Sequence, residues 1–229
     1  MWGKAPALLA LTSHVVLSHG HYDHTGGFRD LVETIGNSFT LAIKPELLVP
    51  KYAYNNGSLQ FNGNNFNQQY LLEKKINTKY IDEDVVEILP DLYVLGNFQR
   101  LTDFEEENPR FCLYSGKELV TDCFKDELVM VINRPQGLTV LLGCSHPGVI
   151  NILKTIIDRF DRPIYAILGG SHLIGADKKR LEGTVALLKA INPTLLGLSH
   201  CTGEKATQYL MENFGQFFIN STGTSIKID

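Results

Sequence analysis

The segment His19-Gly20-His21-Tyr22-Asp23-His24-Thr25-Gly26-Gly27 gathers three imidazoles and a carboxylate into six residues. Imidazole nitrogen and carboxylate oxygen together suit zinc and other borderline divalent cations. The segment follows the apolar run Val15-Val16-Leu17-Ser18, so it falls at a strand end, where a turn through glycines can point closely spaced side chains into one pocket. The bland alternative, a polar turn with incidental histidines, would leave several titratable rings clustered without purpose.

The same unit recurs. Three further β-type runs end in Gly or Ser and then His: Thr139 to Leu142 with Gly143-Cys144-Ser145-His146, Ile164 to Gly170 with Ser171-His172, and Leu195 to Leu198 with Ser199-His200. Six of the seven histidines lie in these strand ends, His14 being the exception. Taken singly, His146, His172 or His200 reads best as a hydrogen-bonded core histidine. Taken together, they favour a metal site that draws ligands from several strands, while His14 keeps the structural reading.

Helical patterns follow the runs. Phe28, Leu31, Val32 and Ile35 stand at i, i+3, i+4, i+7; Pro147 opens a stretch with Val149, Ile150, Leu153, Ile156, Ile157 and Phe160; Leu181, Val185, Leu188 and Ile191 make a third face, and Ala206, Tyr209, Leu210 and Met211 a fourth. Strands alternating with helices predict an α/β fold whose site forms beyond the carboxyl ends of the strands. Asn55 to Tyr70, rich in Asn and Gln, reads as a long loop, a polar insertion near 52–72 in a single domain spanning 1–229. Val85 to Val94, Glu118 to Thr121 and Leu128 to Ile132 read as short antiparallel strands, and Phe217 to Ile219 with Ser225 to Ile228 as two more.

Composition narrows the partners. A chain of 229 residues with 44% hydrophobic residues can bury a core without staples, and a net charge of −4 without a long basic block argues against nucleic acid or an anionic membrane. No apolar stretch reaches the ~18 residues of a membrane span. Four scattered cysteines and a poor signal peptide over Met1 to Leu11 predict a reduced, cytoplasmic protein.

The motif His19-x-His21-x-Asp23-His24 resembles that of the metallo-β-lactamase superfamily. With Gly143-Cys144-Ser145-His146-Pro147-Gly148, Gly169-Gly170-Ser171-His172-Leu173 and His200-Cys201-Thr202-Gly203, the chain is similar to the branch that contains the 7,8-dihydropterin-6-methyl-4-(β-D-ribofuranosyl)aminobenzene 5′-phosphate synthases. The resemblance implies a four-layer αββα sandwich and two divalent metal ions, zinc first, with manganese or iron as alternatives. It makes His19, His21 and His146 ligands of one ion and Asp23, His24 and His200 ligands of the other. It also implies that Asp23 orients the attacking water. His172 is a metal ligand, a substrate contact or a general acid, and Arg100 and Ser145 are candidate substrate contacts.

Two departures stand out. Where the superfamily bridges its metals with an aspartate, this chain offers Cys144 or His172, which leaves either a weaker second metal or a thiolate ligand. Only 18 residues precede His19, so the first sheet is expected to be short of N-terminal strands, with an exposed edge that favours self-association. The expected activity is that of a metal-dependent enzyme on a small anionic, phosphorylated or pterin-like substrate, by condensation or by phosphoester hydrolysis. A binding protein without catalysis is the alternative. Gly143-Cys144-Ser145-His146-Pro147 and Gly169-Gly170-Ser171-His172-Leu173 approach the serine nucleophile elbow but lack its last glycine. A P-loop fails at Ala176.

Overall fold

A computed structural model describes residues 11–228; most of the segment read as a poor signal peptide therefore lies outside the described residues. The chain divides into two compact units, residues 1–82 with 108–128, and residues 83–107 with 129–229. The architecture is α/β, as the alternating pattern predicts.

In the first unit, β1 (His14–Val16), β2 (Thr40–Ile43) and β5 (Asn77–Tyr80) form a parallel sheet in the order β1-β2-β5. The chain leaves β1 through α1 (Tyr22–Thr25) and α2 (Phe28–Ile35), and Gly36 ends α2 with a positive φ. Phe28 and Val32 of α2 cluster with Leu41, Ile43 and Leu47 in a small core. An antiparallel sheet, in the order β4-β3-β8-β9, is built from β3 (Lys51–Asn55), β4 (Ser58–Phe61), β8 (Phe111–Ser115) and β9 (Glu118–Thr121).

The long loop expected over Asn55 to Tyr70 is therefore corrected. Its start is a two-residue hairpin on Asn56 and Gly57, both with positive φ, the Asn-Gly signature of a tight hairpin turn. Its end enters α3 (Gln68–Glu73), capped by Asn67, whose side chain accepts the Tyr70 N–H at 3.0 Å.

The second unit carries a seven-stranded sheet in the order β14-β13-β12-β11-β10-β7-β6. The hairpin of β6 (Val85–Leu89) and β7 (Leu92–Leu95), then β10 (Val129–Arg134), pair antiparallel; β11 (Gly137–Leu141), β12 (Ile164–Gly170), β13 (Leu195–Ser199) and β14 (Phe217–Ile219) run parallel. Between them lie α4 (Val149–Phe160), α5 (Lys178–Ile191) and α6 (Glu204–Asn213). Val149, Ile152, Leu153 and Ile156 of α4 share one core with Val140, Ile167 and Leu196 of the sheet. Those runs are continuously apolar because helices follow strands in a sheet buried on both faces. Ser225 to Ile228, expected as a strand, has no regular structure.

The N-terminus of α4 is capped from a distance. Its N-cap residue, Gly148, has no side chain to offer, and Glu105 supplies the acceptors: Oε1 takes the Ile150 N–H at 2.9 Å and Oε2 the Asn151 N–H at 2.8 Å. Removing that carboxylate strands two buried donors. We expect Glu105→Ala to lower unfolding free energy by about 2 kcal/mol in urea denaturation, with Glu105→Gln losing less.

Candidate metal centre

In the first unit the turn after β1 brings three imidazoles into contact. The His19 ring centroid lies 4.8 Å from that of His21 and 4.2 Å from that of His24. Ligand atoms of His19 and His21 lie within 4.8 Å of one another, as do those of Asp23 and His24. His19 and His21 are buried, His24 is half-buried, and the Asp23 side chain is exposed. The Ser18 hydroxyl sits at the Nδ1 of both His19 (3.1 Å) and His24 (3.3 Å), the outer contact that fixes ring orientation and tautomer in metal sites.

The donor set fits a divalent cation. Burial, reinforced by the Lys51 charge, lowers the His21 pKa to about 4, so its imidazole is neutral at pH 7 and keeps the lone pair a metal needs.

The turn is held from beneath by an ion-pair cluster absent from the sequence expectations. Asp126 accepts the Gly20 N–H at 2.7 Å and the Lys51 ammonium at 3.0 Å, and Asp122 accepts the same ammonium at 2.8 Å. All three side chains are buried. Burial pulls the Lys51 pKa down, but Asp126 and Asp122 outweigh it and hold the pKa above its ordinary value, so Lys51 stays charged. Position 20 requires glycine because a Cβ would stand 2.6 Å from the Leu47 carbonyl oxygen. A second tether runs from the Leu128 N–H to the Ser18 carbonyl at 2.7 Å.

In the second unit the ends of β11, β12 and β13 present Cys144, Ser145 and His146; His172; and His200. The His146 and His172 rings lie 4.3 Å apart, and the Cys144 and His200 ligand atoms lie within 4.8 Å of one another. Cross-strand bonds knit these ends: His172 N–H to Cys201 Sγ at 3.3 Å, Cys201 Sγ to the Cys144 carbonyl at 3.4 Å, and Ser171 with Thr202 at 2.9 Å. Ser145, His172 and His200 all adopt left-handed φ, between 46° and 63°, a strained choice for non-glycine residues that clusters at functional sites.

Two candidate substrate contacts are placed differently from each other. The Ser145 hydroxyl is buried and donates to the Gly170 carbonyl at 2.7 Å, so it braces strand ends. Arg100 is partly exposed; its Nη1 donates to the Glu105 carbonyl at 3.1 Å and its Nε stands 3.4 Å from Glu107. His14 lies beside Ser13, its Nδ1 3.0 Å from that hydroxyl, and is in neither group of candidate ligands. Lys51, Asp122, Asp126 and Glu105 were missed because their partners are 45 or more residues away along the chain.

Strand-end imidazoles on an α/β scaffold offer candidate ligand groups for a metal ion, and the chain belongs to the metallo-β-lactamase superfamily, whose model matches residues 13–95. Over 208 residues it is 29% identical to the 7,8-dihydropterin-6-methyl-4-(β-D-ribofuranosyl)aminobenzene 5′-phosphate synthase of Methanocaldococcus jannaschii, covering 89% of this chain and 71% of that one. An uncharacterized protein of the same organism is 32% identical over 200 residues, 87% of this chain and 72% of its own. Among solved structures, a metal-dependent hydrolase of the β-lactamase superfamily matches with a TM-score of 0.82 at 27% identity, over 93% of this chain and 78% of the other. The fold alone is shared with an isothiocyanate hydrolase from Delia radicum gut bacteria, at a TM-score of 0.55 and 12% identity, over 97% and 79%. Among the described residues no helix is long and apolar enough to cross a membrane.

Breaking a buried pair leaves charge uncompensated. Lys51→Met is expected to lower unfolding free energy by about 3 kcal/mol and to weaken zinc binding in a chelator competition. Unchanged zinc affinity would separate the ion pair from the metal turn.

Proposed function

We propose that the protein is a metal-dependent enzyme with a dinuclear centre, acting on a phosphorylated or pterin-like small molecule. The observation that carries this reading is the cluster of His19, His21 and His24, two of them buried, with rings 4.2 and 4.8 Å apart. The similarity to the synthase supports the substrate class. In this reading His19, His21 and His146 hold one ion, and Asp23, His24 and His200 the other, zinc being the preferred metal. Cys144, with its ligand atom near that of His200, takes the place the superfamily gives to a bridging aspartate.

Divalent cations supply Lewis acidity toward phosphoryl oxygens and lower the pKa of water. The protein's own residues then do the following. Asp23, with its side chain exposed, orients the attacking group and takes its proton. His172, its backbone fixed through Cys201 and its ring packed against His146, gives a proton to the leaving group. Arg100 contacts substrate anion. The substrate is a small anion rather than nucleic acid or membrane, and the working compartment is the cytoplasm, where the four free thiols stay reduced. Association into a homo-oligomer belongs to the same reading.

Condensation of a pterin pyrophosphate with an arylamine, releasing pyrophosphate, is the first reaction to assay. Phosphoester hydrolysis is the second, favoured by the similarity to the metal-dependent hydrolase. Elemental analysis of the purified protein is expected to give one to two equivalents of metal per chain. His21→Ala should lose at least one of them, with turnover down by about a hundredfold or more. His172→Ala should lower turnover far more than metal content; loss of a full equivalent would make His172 a ligand. Wild-type protein that binds no metal after incubation with zinc, manganese or iron overturns the reading.

A further inference from the structure

The antiparallel sheet of the first unit has two unlike faces. Lys51, Ala53 and Phe111 belong to one; all three are buried, and the Phe111 ring packs against His21 at 4.9 Å. Register places Tyr52 opposite both Phe61 and Cys112, Tyr54 opposite Leu59, and Tyr114 opposite Leu119. Residues paired across antiparallel strands share a face, as do residues two apart in one strand, so these side chains all lie on the other side. There Tyr54 is 45% exposed, Phe61 57% and Tyr114 47%, while Tyr52, Leu59 and Leu119 are half-buried. Tyr52 joins the rings: its centroid lies 5.7 Å from that of Phe61 and 5.4 Å from that of Tyr114, both edge-on.

The solvent side of an antiparallel sheet is ordinarily polar, and here it is aromatic. Cys112 and Thr121, paired with each other, complete the face and add no charge. Arg110 stands at its margin, where its carbonyl takes the Tyr54 N–H at 2.9 Å and its guanidinium donates to Asn55.

Area and charge together select the occupant. At their exposures Tyr54, Phe61 and Tyr114 offer roughly 300 Å² of side chain, and the half-buried members bring the patch to about 400 Å². A stable interface takes about 800 Å² from each partner, somewhat more than half of it non-polar, so this face supplies the apolar share of one side. A chain of net charge −4 repels its own copy in general, but an uncharged face admits one. The same lack of charge leaves nothing to select an unlike partner of opposite sign. Tyrosine enrichment with charge depletion is the composition of interface centres, and two twisted sheets stack readily face to face.

We propose that this face is the interface of a symmetric homodimer, in which two copies stack their sheets through Tyr52, Tyr54, Phe61 and Tyr114. A twofold axis sets the patch against itself, so each ring is used twice. The inference deepens the association named with the proposed function and rests on that part of the reading alone.

The test is sedimentation velocity of the full chain from low to high micromolar concentration. Wild type is expected to pass from monomer to dimer, and Tyr114→Phe to do the same. Tyr54→Lys and Tyr114→Lys, each of which brings two ammonium groups into the interface, should raise the dimer dissociation constant about thirtyfold or more. At concentrations where wild type is monomeric, both variants should keep its melting temperature and zinc content, because the replaced rings are half exposed. Met211→Glu, at an exposed apolar position on α6, should leave the dimer intact. With no substitution at all, acetylation of Tyr54 and Tyr114 by N-acetylimidazole should slow as wild type is concentrated. A wild type that stays monomeric overturns the interface; reactive tyrosines would then leave the face to solvent or an unlike partner, and protected ones would show it covered by the protein's own chain. A dimer indifferent to both lysine variants, or disrupted as strongly by Met211→Glu, overturns it too. Monomeric protein that binds metal and turns over substrate removes the interface and leaves the proposed chemistry standing. A dimer split by Tyr114→Lys in a protein that binds no metal upholds the interface and removes that chemistry.

Discussion

The Gly20 amide donates to a carboxylate that is itself held by a buried ammonium, and the placing of the first unit's histidines depends on that contact. Asp126 neutralises Lys51 and anchors the backbone between His19 and His21. Asp122 binds the same ammonium and also accepts the Phe124 N–H at 2.8 Å, stiffening the segment that carries Asp126. Phe124 packs edge-on against His21 at 5.3 Å and against His19 at 6.4 Å. Residues 122–128 thus set both the backbone and the ring walls of the turn. Such a buried cluster is weak evidence for stability, since desolvation offsets much of its attraction. Its physical sense is positional: metal ligands tolerate little displacement, and outer contacts hold them.

The second unit meets the same requirement with backbone conformation. Three consecutive parallel strands end in left-handed residues, Ser145, His172 and His200, each costing on the order of 1 kcal/mol. Cross-strand bonds among Ser145, Gly170, Ser171, Cys201 and Thr202 offset that strain by locking the ends together. Gly170 lets them close up, since a Cβ there would lie 2.7 Å from Cys201 Sγ. The apolar core of α4 and the sheet provides the rigid base from which these strained ends project.

Much was legible before the structure because it is written in local order. The helix at Phe28–Ile35 agrees residue for residue with its apolar spacing, and the four runs that end in histidine are strands. The polar composition of Asn55 to Tyr70 misled because it outweighed the Asn56-Gly57 turn within it. The strands Thr40–Ile43 and Asn77–Tyr80 went unread, being four residues each, too short for a periodicity to stand out.

The sequence by itself determined most of the helices and the histidine-ending strands, the candidate ligand types at those strand ends and the superfamily, since each rests on residue type and near-neighbour spacing. Only the tertiary structure decided what holds those residues and what surrounds them. Lys51 meets Asp126 across 75 positions, and Glu105 reaches the α4 backbone across 45. It also decided that Ser145 spends its hydroxyl on a carbonyl, and that half-buried Arg180 has its Nε closed off from water. The energy of a charged or polar group is set by its burial and its partners, and both come from segments distant in the chain.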